Sequence, residues 1–104
     1  MSRIFKYQTY VRILLNTGVE LDSTVLDTRI YYKKPVSGTL DYVDAEIYDD
    51  QKLKYDIEAD SSGNDDFFDE EGKWRFWTWV EFADGRTARG ETVLEYIYNN
   101  EDAC

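Results

Sequence analysis

An all-β, antiparallel sandwich of about seven strands is expected from three features of the sequence. Apolar residues recur at every second position in run after run, the period of a strand with one buried face. No segment carries helical periodicity long enough for the crossover that joins parallel strands. Tyr and Phe, 9 and 5 in number, favour strands and bring the aromatic fraction to 16% with the 3 Trp.

The first run spans Thr9–Leu15, with Val11, Ile13 and Leu15 on one face, and breaks at Asn16-Thr17-Gly18. The second spans Thr24–Lys34. Leu26, Thr28, Ile30 and Tyr32 share one face, and Val25, Asp27, Arg29 and Tyr31 the other. Pro35 ends it because proline cannot donate to a ladder, and Val36-Ser37-Gly38 turns the chain. The third, Leu40–Tyr48, alternates Val43, Ala45 and Ile47 with Asp44, Glu46 and Tyr48. After the Asp49-Asp50 turn, the fourth, Lys52–Glu58, turns Leu53, Tyr55 and Ile57 inward and Lys52, Lys54, Asp56 and Glu58 to water, so the two read as a hairpin.

Asp60–Gly72 is the longest irregular stretch. The fifth strand runs from Trp74 to Phe82, and Asp84-Gly85 is a hairpin turn pair. The last run spans Arg86–Tyr98, and Gly90 marks a bulge or a close backbone approach that divides it. The polar tail 99–104 is expected to fray. Six or seven short strands with turn signals at near-regular spacing indicate a sandwich or small barrel, an immunoglobulin-like sandwich being the expectation, and 104 residues make one domain.

Charge narrows the function classes. Twelve basic residues against 22 acidic ones give a net charge of −10, with no His. Nucleic-acid binding needs clustered Lys and Arg to neutralise phosphates, so no nucleic-acid partner is expected. An anionic membrane surface repels such a chain, and no apolar run approaches the roughly 20 residues of a spanning helix. Arg3, Lys6 and Arg12 interrupt Met1–Leu15, so no signal peptide is expected. Cys104 is the only cysteine, which excludes an internal disulfide and leaves stability to packing.

The same inventory argues against an enzyme. Without His there is no imidazole base or ligand. One Cys cannot build a zinc site, and the six glycines form no phosphate loop. Carboxylate pairs of the glycosidase kind arise by chance among 22 acids. No catalytic residue, cofactor or metal is therefore assigned. Asp60-Ser61-Ser62-Gly63-Asn64-Asp65-Asp66 offers oxygen ligands, but its spacing is not that of a calcium loop, and a solvated loop is the expectation. Phe67 and Phe68 either plug one end of the sandwich or anchor a partner.

The sharpest feature is Trp74-Arg75-Phe76-Trp77-Thr78-Trp79-Val80-Glu81-Phe82. Strand geometry puts Trp74, Phe76, Thr78, Val80 and Phe82 on the core face and Arg75, Trp77, Trp79 and Glu81 on the other. Long neighbours such as Arg29, Tyr31 and Arg89 either cover the outward tryptophans by cation–π contact or leave a platform for a protein or a sugar. Trp77, Trp79, Arg75 and Tyr31 are the candidate interface residues, with Phe67 and Phe68 as further candidates.

Leu21-Asp22-Ser23-Thr24-Val25-Leu26, Ile30-Tyr31-Tyr32-Lys33-Lys34-Pro35, Gly72-Lys73-Trp74-Arg75-Phe76, Asp84-Gly85-Arg86 and Gly90-Glu91-Thr92-Val93 together resemble a tailed-phage domain. The likeness covers about Val11 to Tyr98. It is to immunoglobulin-like virion proteins and to the amino-terminal domain of phage baseplate upper proteins. Those proteins continue into a long carboxy-terminal region where this sequence stops. The resemblance implies a structural or adaptor protein of a phage particle, made in the host cytoplasm. Its partners would be capsid, neck or tail proteins, or further copies of itself. The alternatives are a carbohydrate-binding module stacking sugars on Trp77 and Trp79, and an acidic mimic of nucleic acid. The mimic is disfavoured because strand alternation pairs many of the acids with Lys and Arg.

Overall fold

The computed structural model describes residues 4–5, 11–57 and 67–98. Its strands are β1 (Ile4–Phe5), β2 (Val11–Asn16), β3 (Val25–Lys33), β4 (Leu40–Asp44), β5 (Glu46–Ile47), β6 (Lys52–Ile57), β7 (Gly72–Phe82), β8 (Thr87–Arg89) and β9 (Val93–Tyr98). They form two sheets. The larger has the order β1-β9-β7-β3-β4, with β8 also on β7; the smaller is β2-β6-β5. Pairings are antiparallel except that of β1 with β9, which is parallel. With β2, β6 and β5 in the places of strands B, E and D, and β4, β3, β7 and β9 in those of C′, C, F and G, this is the strand order of an immunoglobulin-like sandwich.

Alternation builds the core. Ile13 and Leu15 of β2, Leu53 and Ile57 of β6, Ile30 of β3, Ile97 of β9 and Trp74, Phe76, Val80 and Phe82 of β7 are buried together with Leu21 and Phe68. Immunoglobulin domains of antibodies pin this space with a disulfide; here aromatic rings fill it. Trp74, fully buried, donates its Nε1–H to the carbonyl of Glu70 at 2.9 Å. An indole thus makes the back-bond that a tyrosine makes at the start of strand F in antibody-like domains.

Three departures from simple alternation follow from register. The pairing of β3 with β7 shifts between Val25 and Asp27, so Val25 packs on the core and Leu26 is 66% exposed. Leu26 does not share the buried face of Ile30 as its spacing predicts, because one extra residue inverts the side-chain parity beyond it. The third run changes sheets: β4 pairs with β3, and β5 pairs with β6. Ala45 marks the crossing, its N–H on Thr28 O at 3.1 Å and its carbonyl accepting from Thr28 Oγ1 at 2.6 Å. Only the part around β5 therefore forms the expected hairpin with β6, and Ile47 lies exposed.

The third departure is at Gly90. Trp79 pairs with Arg89 and Phe76 with Val93, so three steps along β7 face four steps from β8 to β9. Gly90 N–H bonds Thr78 O at 3.1 Å in this bulge. A Cβ there would run into Thr78 Oγ1 and stand 2.9 Å from the carbonyl of Asn16. The backbone passes so close to both sheets that only glycine fits.

The turn after β3 is fixed from across the fold. Lys34 Nζ meets Asp69 at 2.9 Å, and Glu70 Oε1 accepts the N–H groups of Val36 and Ser37 at 2.9 and 3.0 Å. Gly72, at φ +121°, lies against Pro35, where an added Cβ would approach to 2.9 Å. The acids at the end of the 60–72 stretch thus hold the Lys-Pro turn. Asp60, Asp65 and Asp66, the oxygen ligands considered for a cation, lie outside the described residues, as do Thr9, Glu58 and the tail 99–104.

Candidate functional site: the outer face of the larger sheet

Period two along β7 puts Lys73, Arg75, Trp77, Trp79 and Glu81 on the side away from the core. Register then decides which side chains from other strands join them. Tyr31 lies opposite Trp77, and Tyr42 opposite Tyr31. Arg29 and Arg89 flank Trp79 from its two neighbouring strands. Lys33 and Leu94 flank Arg75, Leu40 lies beyond Lys33, and Tyr96 stands opposite Lys73. This face is therefore aromatic, and it is cationic around Lys33, Lys73, Arg75 and Arg89, with Asp27, Asp44 and Glu81 toward its other end, although the chain as a whole is acidic.

Its geometry is ordered. Tyr31 and Trp77 lie parallel, 4° between planes and 5.8 Å between centroids, and Tyr42 follows at 5.3 Å from Tyr31. The Arg89 guanidinium stands 4.7 Å from the Trp77 ring. Arg89 is held there by bonds to Thr92 Oγ1 at 3.0 Å and Gly90 O at 3.3 Å. Arg29 lies 4.7 Å from the Trp79 ring and 4.4 Å from that of Tyr42, and its Nη2 pairs with Asp27 at 3.0 Å. Each indole thus carries a guanidinium, the covering alternative of the two that the sequence leaves open for Trp77 and Trp79. Trp77, Trp79 and Tyr31 are half-buried as a result, and Arg75 is exposed.

Two hollows indent this face. One, of about 480 Å³, is lined by Lys33, Arg75, Trp77, Arg89, Thr92 and Leu94. The other, of about 320 Å³, lies beside it along the Lys34–Gly38 turn and shares Lys33 and Arg75, adding Lys73. Hydrogen bonding from Ser37, then from the Val36 N–H, with the nearby charge of Lys34, holds the Glu70 carboxyl below its ordinary value. Glu70 is therefore committed to the turn.

Phe67 and Phe68 do not belong to this face, and of the two readings open for them their packing favours the plug at the end of the sandwich. Phe68 is 1% exposed and meets Trp74 edge-on at 5.5 Å. Phe67 packs on Tyr32, Tyr55 and Trp74 at 5.0, 5.6 and 5.7 Å. Both rings close the end of the sandwich, where burial of aromatic area outweighs any use at the surface. Conversely, Leu40, Tyr42, Leu94 and Tyr96, all exposed, extend the face without having been singled out by the sequence. Their two-residue period is visible, but their side of the sheet depends on register with β3 and β7. Among the described residues, no group of three or more His, Cys, Asp or Glu side chains could hold a metal ion.

Comparison with protein-family models, with curated proteins and with solved structures finds no match.

Proposed function

We propose that this chain is a non-catalytic docking module whose working surface is the outer face of the larger sheet. The observation that carries the reading is the concentration there of Trp77, Trp79, Tyr31, Tyr42, Tyr96 and Leu94 together with Arg75 and Arg89. Trp, Tyr and Arg are the residues that dominate binding hot spots. They sit on a regular sheet, where backbone pairing holds them in place before a partner arrives, which lowers the cost of ordering them on binding. The resemblance to immunoglobulin-like virion proteins gives the module a setting. In a phage particle it serves as an adaptor or decoration that attaches to capsid, neck or tail proteins.

A sugar platform is the weaker reading, because stacking on a pyranose needs a free indole face. The guanidinium of Arg89 at Trp77, and that of Arg29 at Trp79, would have to be displaced first.

Replacing both Trp77 and Trp79 by Ala separates the readings. The double variant is expected to keep the β-sheet circular dichroism of the wild type and to lose incorporation into particles, each hot spot contributing about 2 kcal/mol. Normal incorporation with loss of signal on a glycan array would replace the docking reading by the carbohydrate one.

A further inference from the structure

Among the described residues, the cations are not distributed at random among the acids. Arg12, Arg29, Lys34, Lys52, Lys54 and Arg86 each have a carboxylate oxygen within 4.0 Å. Among the described residues, Lys33, Lys73, Arg75 and Arg89 form no ion pair, and all four lie on the outer face of the larger sheet. With 22 acids available to 12 bases, the chain had the means to pair them. Lys33 and Arg75 are moreover direct cross-strand partners. Like charges in that relation repel and destabilise the sheet. The face keeps an unbalanced positive strip in a protein of net charge −10, around hollows whose floor includes Trp77 and Leu94.

We propose that this strip receives an acidic, extended segment of a partner protein, with carboxylates on Lys33, Lys73, Arg75 and Arg89 and an apolar side chain against Leu94 and Trp77. This rests on the reading of the face as a docking surface and adds the chemistry of what docks. The strip from Lys73 to Trp79 along β7 measures about 20 Å, the length of about six extended residues. Arg75, exposed and with no carboxylate partner among the described residues, offers the planar fork that takes a carboxylate with two parallel hydrogen bonds. The negative charge of the rest of the chain repels an acidic segment everywhere else, so the strip also fixes where it lands.

The test is an NMR titration of the whole chain with a synthetic octapeptide of alternating Glu or Asp and Leu. Its controls are the same peptide with Gln and Asn in place of the acids, and an eight-nucleotide oligothymidylate. The expected result is saturable, salt-sensitive binding of the acidic peptide that shifts the Lys33, Arg75, Leu94 and Trp77 indole resonances, with binding at least about tenfold weaker for the amide control. Arg75→Glu is the decisive variant. It replaces opposed like charges by an attractive pair with Lys33, so it should melt no lower than wild type, yet bind the acidic peptide about tenfold or more weakly. No binding, equal binding of the amide peptide, shifts confined to the smaller sheet, or tighter binding of the oligothymidylate would each overturn the proposal. So would sedimentation showing that the chain alone fills the strip by self-association that the peptide dissolves. Loss of particle incorporation in the Trp77 and Trp79 double variant, with no peptide binding, would leave the docking surface standing and remove only its acidic partner.

Discussion

At the scale of single residues, Trp74 does the work that a disulfide and a tyrosine share in antibody domains. It fills the space between the sheets and ties β7 to the corner before it through Glu70 O at 2.9 Å. Trp74→Ala should cost about 3–5 kcal/mol out of a total of roughly 5–15 kcal/mol for a domain of this size. Urea denaturation would read this as a midpoint shifted far toward zero; a midpoint near wild type would mean that the ring is not the core anchor. Glu70 offers a pH test at the same corner. Bonds from Ser37 and Val36 lower its folded-state value, so its contribution is present above the unfolded value of about 4.3 and is lost as pH falls through the folded one. The melting temperature of Glu70→Ala should therefore lie below that of wild type at pH 7, and the gap should narrow steadily below about pH 4. A gap independent of pH would assign the effect of Glu70 to packing rather than to its charge.

At the scale of elements, what was legible in the sequence was local. Period two along β7 is written in nine consecutive residues, Trp74 to Phe82, and the structure buries five of them and turns out the other four. The turns at Pro35 and at Asp84-Gly85 were legible because the φ preferences of Pro and Gly act within four residues. Non-local register was not legible. Leu26, Ile47, Leu94 and Tyr96 all have the right spacing for a strand, but each lies beyond an irregularity that shifts parity or changes sheets. A sequence shows where a bulge is permitted, as at Gly90, but not which strand counts the extra residue. The bulge itself makes a clear prediction. Gly90→Ala should destabilise the fold by about 1–3 kcal/mol, the usual cost of forcing extra volume into a packed site. Adding Thr78→Ala should recover part of that loss, because it removes the hydroxyl that the new methyl meets and leaves only the Asn16 carbonyl. Strict additivity in chemical denaturation would show that the two sites do not touch.

At the scale of the whole molecule, the sandwich separates two tasks. Its interior carries stability in aromatic and aliphatic packing, and the turn acids Asp69 and Glu70 lock one end. The outer face of the larger sheet carries an ordered array of rings and guanidinium groups that the core does not require. Leu94 and Tyr96 lie on it exposed, and the cations beside them have no carboxylate partner among the described residues. Exposed apolar and aromatic surface of this kind is a feature of interaction sites. The most direct test is hydroxyl-radical footprinting of the chain, free and in complex with the particle partner proposed for it. Trp77, Trp79, Leu94 and Tyr96 should become protected in the complex while Leu14 and Tyr48, on the smaller-sheet side, keep their reactivity. Protection of Leu14 and Tyr48 with Trp77 and Trp79 unchanged would place the working surface on the opposite side and contradict it.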